Sequence, residues 1–356
     1  MLNNEKLQSI LKTMYQKGAD GDTIKALYRF LVTADPENLL GINPNLLAVK
    51  LDIGQQEIID LIIFGVVDGL FEMSWEMACP HCGNIAEHTH HVDELNAMSH
   101  CDSCKVDFDN FADENILISI SVVANLFEGI VPQPASFRVL DKRVQPLNAL
   151  DLIGSPMYRR YFSNEIPSID QSIKIRSVTV LFTDLIHSTA LYSSVGDINA
   201  YAFERDHFEN LFKQITTNAG GIIKTIGDAI MAIFKEPVDA VKTAFILKQE
   251  VTDLLIKNKL DEKSYGLRVG ISNGTALIVN MNNSLDLFGT TVNLAARIVN
   301  LAEKDSIAVT EDIFKNTAVK EYLTTENIGN QNVQEKLKGI PGISKVYLLS
   351  AKKQWF

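Results

Sequence analysis

Gly220-Gly221-Ile222-Ile223-Lys224-Thr225-Ile226-Gly227-Asp228-Ala229-Ile230-Met231-Ala232-Ile233-Phe234 is the stretch on which the reading of this chain turns. Two apolar runs flank a Gly-Asp pair, which predicts a β-hairpin with Asp228 at its tip. Ordinary turn chemistry is enough to explain a lone Asp there. A second carboxylate upstream adds weight. Ser177 to Phe182 reads as a strand, and Thr183-Asp184-Leu185-Ile186-His187-Ser188-Thr189 reads as the opening of a helix. An acidic residue at a strand end, beside the N–H groups of a helix start, suits a metal–phosphate complex. Capping Asp residues are also common at such places. Two carboxylates on a shared pair of Mg²⁺ ions neutralise a triphosphate and activate an attacking oxygen.

Downstream, Leu285-Asp286-Leu287-Phe288-Gly289-Thr290-Thr291-Val292-Asn293-Leu294-Ala295-Ala296-Arg297 becomes helical from Thr291. Asn293 and Arg297, four apart, project from one helix face. An amide and a guanidinium fork can brace charge developing on a phosphoryl group, or can simply be a solvated pair on a surface helix. Taken together, the three stretches resemble the class III nucleotidyl cyclases. Phe182-Thr-Asp184, Lys224-Thr-Ile-Gly227-Asp228, and Asp286 through Asn293 to Arg297 follow the family pattern in order. The resemblance covers about residues 172–350.

That resemblance implies an α+β fold, a ferredoxin-like βαββαβ catalytic core, and a head-to-tail homodimer with active sites at the interface. It implies two Mg²⁺ or Mn²⁺ ions on Asp184 and Asp228, with Lys224 and Asp286 reading the purine edge. Asn293 would position the ribose, Arg297 would stabilise the transition state, and Lys345 matches the place of a triphosphate-binding Lys. The expected activity is that of a lyase: ATP becomes 3′,5′-cyclic AMP and pyrophosphate. Adenine offers an acceptor at ring N1 and a donor at its amine, which suits the donor Lys224 and the acceptor Asp286. Cyclases for GTP or a pyrimidine nucleotide are the alternatives, as is a weakly active nucleotide-sensing regulator. The family usually has Gly where this chain has His187, and Gly permits close backbone approach to phosphates.

The amino-terminal half reads differently. Cys79-Pro-His-Cys82 and Cys101-Asp-Ser-Cys104 are two CxxC pairs 18 residues apart. They predict a closed, structural Zn²⁺ site on Cys79, Cys82, Cys101 and Cys104, in the manner of a zinc ribbon. His81, His88, His90, His91 and His100 crowd the same segment and read as a solvated loop. Residues 4–34 have helical periodicity; 45–49 and 55–67 read as helices, and 69–75 as a strand. Helix, turn, helix, strand outlines a winged helix. Some bacterial adenylyl cyclases place such a segment and a zinc segment before the catalytic domain, a wider resemblance that this chain shares.

Charge separates the halves. Among the 356 residues, positions 1–172 carry 12 Lys and Arg against 24 Asp and Glu, while the remainder carries 21 against 20. A balance of −12 argues against nucleic acid or an anionic membrane as partner of the first half. The longest apolar run, Ile58 to Leu70, is broken by Asp60 and Asp68 and predicts a buried helix rather than a membrane span. With no basic-then-apolar leader and four Cys suited to metal, the expected compartment is the cytoplasm. The expected organisation is a helical, winged-helix-like segment over 1–75, a zinc segment over 76–127, a proline-bearing connector over 128–171 and the cyclase domain over 172–356. An unidentified protein or small-molecule regulator of the amino-terminal module is expected as a partner.

Overall fold

A computed structural model describes residues 2–129, 144–340, 342 and 344–351. Pro132 and Pro134 of the expected connector lie outside them. The chain divides into two compact units, one of residues 1–175 with 278–285, the other of 176–277 with 286–356.

The first unit begins with α1 (Asn4–Gln16) and α2 (Gly21–Thr33), which split the expected 4–34 helical region at Gly18. Asn3 and Asp20 cap them by accepting the amides of Lys6 and Thr23 at 3.0 and 2.8 Å. α3 (Pro44–Leu51) and α4 (Gln55–Val67) follow. α4 is apolar on nearly every side and buries Ile58, Ile59, Leu61, Ile62, Ile63 and Phe64, as the apolar run around Asp60 predicts. Gly65 lets α4 lie directly on the next strand: a β-carbon there would stand 2.3 Å from the Phe71 ring.

That strand, β1 (Phe71–Ala78), runs through position 75 and is the centre of a three-stranded sheet with β2 (Ile85–Thr89) on one side. The small β3 (Met98–Cys101) and β4 (Val106–Asp109) pair antiparallel on their own. β5 (Ile116–Val122) returns to the other side of β1, Phe71 opposite Val122 through to Met77 opposite Ile116. The pairing of β1 with β5 across the cysteine segment leaves no mark in the local pattern. α5 (Ala149–Ile153) and α6 (Pro156–Tyr161) complete the unit. Tyr158 meets fully buried Trp75 edge-on, with ring centroids 6.1 Å apart.

The second unit is built on β6 (Ser172–Ile186), α7 (Ser188–Val195), α8 (Asp197–Thr217), β7 (Gly220–Ile226), β8 (Ala229–Phe234), α9 (Pro237–Lys257) and β9 (Gly266–Met281). β10 (Ser284–Phe288) pairs with β9, and α10 (Thr290–Ile298), β11 (Ile307–Thr310), α11 (Glu311–Lys315), α12 (Thr317–Thr325), β12 (Ile328–Glu335) and β13 (Ser344–Ala351) follow. The sheet order is β12-β13-β11-β9-β6-β8-β7. Its inner four strands, β9-β6-β8-β7, with α7–α8 and α9 as crossovers, are the expected ferredoxin-like βαββαβ arrangement. β11, β13 and β12 extend it past β9.

Alternation along the strands decides the layers. Leu181, Ile230, Ile271 and Val309 pack into one apolar cluster with Phe203 and Leu211 of α8 and Leu247 and Val251 of α9. Their strand neighbours Ala308 and Val346 face the other way, into a cluster with Ile298 of α10. α10 therefore lies on the opposite face from α8 and α9. Gly270 sets its distance, since a β-carbon there would fall 2.6 Å from the backbone nitrogen of Val299.

Candidate active site

β6 is longer than the sequence suggests. It continues to Ile186, so Asp184 stands on the strand itself and not at the opening of a helix; α7 begins only at Ser188. The physical reason lies across the sheet. Phe182 pairs with Met231, and the hydroxyl of Thr183 accepts the amide of Ile230 at 2.8 Å in a buried position, which carries the strand past the polar Thr-Asp pair. The same contact ties β6 to the residue two after Asp228. The expected hairpin is present: Gly227 takes a φ of +60°, and Asp228 sits between β7 and β8.

The two carboxylates sense one another. Burial, first, and then the charge of Asp228 raise the Asp184 carboxyl above its usual 3.8, against an opposing pull from Arg268. Arg268 of β9 places Nη1 3.4 Å from Asp184 Oδ2. Asp228 Oδ2 is buried and without a hydrogen-bond partner, and so is Arg268 Nε. A pair of mutually repelling carboxylates, one oxygen of which is buried and unsatisfied, fits a divalent cation between them. Beneath the hairpin tip His207 of α8 is fully buried, and burial pushes its imidazole down to about 4. It is therefore neutral at ordinary pH, facing the backbone of Asp228 without regular hydrogen-bond geometry.

Lys224 of β7 makes an ion pair with Asp286 of β10, bringing together the two residues expected to read the base. Asp286 is 6% exposed, and its other oxygen accepts the amide of Leu287 at 2.8 Å. Its position across the sheet is thus fixed before any ligand arrives. Asn293 and Arg297 share one face of α10, as expected; both are exposed, and neither side chain has a hydrogen-bond or ion-pair partner among the described residues. Lys345 stands on β13 and pairs with Glu311 of α11 at 3.6 Å, so the structure does not bring it to either pair above.

Arg268 is the site residue that the sequence reading missed. Its signal was present in Gly266-Leu267-Arg268-Val269-Gly270, a single permanent charge inside an otherwise apolar strand.

In the other unit, the sulfur atoms of Cys79, Cys82, Cys101 and Cys104 lie within 4.8 Å of one another and form no disulfide. Turns bring them together: Gly83 donates to the carbonyl of Cys79 at 2.8 Å, and Lys105, with a φ of 57°, donates to that of Cys101 at 2.7 Å. Backbone donors, Cys104 first, draw the Cys101 thiol down to about 7, while hydrogen bonding, Cys82 first, pushes Cys104 up to about 12. Four sulfurs so close, competing for one negative charge, fit a tetrahedral zinc ion. Two of the nearby histidines have other partners: His91 faces Glu165 at 3.0 Å and His100 faces Asp107 at 2.6 Å.

A model of the adenylate and guanylate cyclase catalytic domain matches residues 171–351. The chain belongs to this cyclase family. A second model, a family of unknown function (DUF5939), matches residues 2–145. Among relatives of the cyclase, an adenylate cyclase of Anabaena cylindrica is 29% identical over 191 residues, which is 49% of this chain and 37% of that protein. An adenylate cyclase of Streptomyces coelicolor is 30% identical over 141 residues, 39% of this chain and 34% of that protein. The matched stretches thus span about a third of the length of these relatives. Among solved structures, the adenylyl cyclase CyaB of P. aeruginosa is 18% identical with a TM-score of 0.45, over 52% of this chain and 98% of that one. No helix among the described residues is long and apolar enough to cross a membrane.

Proposed function

We propose that this chain is an adenylyl cyclase that converts ATP to 3′,5′-cyclic AMP and pyrophosphate. The observation that carries the reading is the pairing of Asp184, Asp228 and Arg268 at one place with the Lys224–Asp286 pair in the same unit. Asp184 and Asp228 would hold two Mg²⁺ or Mn²⁺ ions, whose charge lowers the pKa of the attacking hydroxyl and neutralises the phosphates. The 3′-oxygen bonds to the α-phosphorus as the bond from that phosphorus to the bridging oxygen of the β-phosphate breaks. Pyrophosphate leaves, and the hydroxyl proton passes to solvent or to the substrate's own phosphates. The protein's share is to position and to neutralise.

Lys224 donates to the adenine ring N1 and Asp286 accepts from its amine. In guanine the exocyclic group accepts and the ring nitrogen donates, so the same fixed pair meets the wrong partner at both places. This order supports ATP over GTP. Asn293 orients the ribose and Arg297 takes the charge that develops at phosphorus; Lys345 is a further candidate for the triphosphate. Exposed and unpartnered among the described residues, Asn293 and Arg297 support a homodimer in which each site takes residues from two copies.

The amino-terminal residues, a helical segment over 1–75 and a zinc segment over 76–127, act as an input module reaching the 172–356 catalytic domain through 128–171. Its four-cysteine zinc is structural, its partner a protein or small molecule, and the setting is the cytoplasm, where ATP and reduced thiols coexist. Incubating the purified chain with ATP, GTP, CTP and UTP in turn, with Mn²⁺, tests the reading. Cyclic AMP should dominate; a different cyclic nucleotide overturns the base assignment, and no product at all overturns the enzyme.

A further inference from the structure

Two buried polar side chains hold the tip of the β7–β8 hairpin, one from within the sheet and one from the helical layer. Between β6 and β8 the backbone ladder pairs Thr179 with Phe234 through Phe182 with Met231. At the next position a side chain takes over the tie: the amide of Ile230 donates to the Thr183 hydroxyl at 2.8 Å. Thr183 is 1% exposed. This bond links the residue before Asp184 to the residue two after Asp228, and so is a short path between the two carboxylates. From the other layer comes His207. The buried stripe of α8 is Ala200, Phe203, His207, Leu211 and Ile215, apolar but for the imidazole. That ring stands 6.3 Å from Phe203 and 5.4 Å from Phe208, centroid to centroid. It is fully buried, and neither nitrogen has a hydrogen-bond partner. Such a group costs stability, so its place in an apolar stripe calls for a reason. The polar feature that it faces is the backbone of Asp228.

We propose that Thr183 and His207 are positioning residues for the divalent cations: Thr183 fixes the spacing of Asp184 and Asp228 from within the sheet, and His207 fixes the hairpin tip from α8. The proposal rests on the cyclase reading and deepens it. Two carboxylates that repel one another spread apart unless the backbone beneath them is held. A frame that keeps them at one spacing leaves less ordering to be done when a cation arrives, and binding is tighter for it. Groups that orient ligands without touching the metal set affinity in this way. Neither residue touches the substrate or the reacting atoms in this account.

The test compares wild type with T183V, T183S and H207F. T183V keeps the side-chain shape and removes the hydroxyl; T183S keeps the hydroxyl. H207F fills the same apolar slot and removes an unpartnered polar group, so it is not expected to fail in folding. Mn²⁺ binding without nucleotide is measured by calorimetry, with D228A as the reference for binding elsewhere in the chain. Exchange of the Ile230 amide and the Mn²⁺ dependence of cyclic AMP formation are followed on the same preparations. T183V should weaken Mn²⁺ about tenfold and lose protection of the Ile230 amide, and H207F should weaken Mn²⁺ about threefold. In both, the KM for ATP at saturating Mn²⁺ should hold, and kcat there should fall by less than about threefold. T183S should recover most of the lost Mn²⁺ affinity. Affinity within a factor of two of wild type in T183V overturns the role of Thr183, and the same result in H207F overturns that of His207. A T183S as weak as T183V, or a fall in kcat with the Mn²⁺ dependence unchanged, also overturns the positioning role. A wild type that makes no cyclic product, yet binds Mn²⁺ more tightly than T183V does, keeps the positioning role and sinks the cyclase. A wild type that binds no more Mn²⁺ than D228A overturns both.

Discussion

Four thiols in one unit and two carboxylates in the other both gather negative charge, yet they are built for different ends. Cys79, Cys82, Cys101 and Cys104 supply a complete tetrahedral set, packed against Phe108, so a bound ion has no open position. Asp184 and Asp228 supply only two ligands, half-exposed beside Arg268, so an ion held there keeps sites free for substrate oxygens. Ligand count and exposure, more than charge, would separate the proposed staple from the proposed reaction centre. The first cluster is expected to carry stability and the second activity.

The largest effect should come from emptying the thiol cluster. Structural zinc in small domains is bound with on the order of 10 kcal/mol, which is also folding energy. Chelation, or replacing Cys79 and Cys104 with Ser, should unfold the β2–β4 region, followed by proteolysis and by loss of amide protection there. An amino-terminal unit that keeps its protection without zinc would erase the distinction drawn above.

Next comes Asp228→Ala. It should lower turnover with Mg²⁺ or Mn²⁺ by at least about 10³-fold, several kcal/mol of lost charge stabilisation. The melting midpoint should not fall, because the change removes a buried unsatisfied oxygen and a repulsion. A large drop in stability with activity retained would reverse the roles of the two clusters.

The smallest effect concerns pH. The folded chain raises the Asp184 carboxyl above 3.8, so without metal the native state favours its protonated form. Stability should then fall as pH rises from about 3.8 through the raised value, and stay lower above it. Asp184→Asn should remove that loss and melt slightly higher than wild type near neutral pH without metal, with no difference at pH well below 3.8. Mg²⁺ should stabilise wild type and not the variant. Differential scanning in the presence and absence of Mg²⁺ reads both.

Much of this was legible in the chain itself. α4 announces itself because nearly every residue from Ile58 to Phe64 is apolar, and the β7–β8 hairpin because Gly227-Asp228 interrupts two apolar runs. The CxxC pairs, with two residues between the cysteines of each, can bring four sulfurs together. What stayed hidden depends on partners distant in sequence. The strand reading stopped before Asp184 because Thr183-Asp184 looks like a strand end; the amide of Ile230, 47 residues later, keeps it going. The β1–β5 pairing spans the whole cysteine segment and leaves no local mark. α5 has five residues, too few for periodicity, and rests on a reciprocal cap between Asn148 and Asp151. Arg268 was passed over because a charge in an apolar strand gains meaning only when its neighbour is seen to be Asp184.

The central claim, a cyclase whose site is shared between two copies, is tested most directly by mixing two dead variants. Asp184→Ala and Arg297→Ala should each be inactive alone. Mixed, unfolded together and refolded, or exchanged at low concentration, they form heterodimers in which one of the two sites has an intact Asp184 from one copy and an intact Arg297 from the other. Random pairing then restores about a quarter of wild-type cyclic AMP production. A mixture as inactive as its two components would place both residues in a site within one chain and contradict the account.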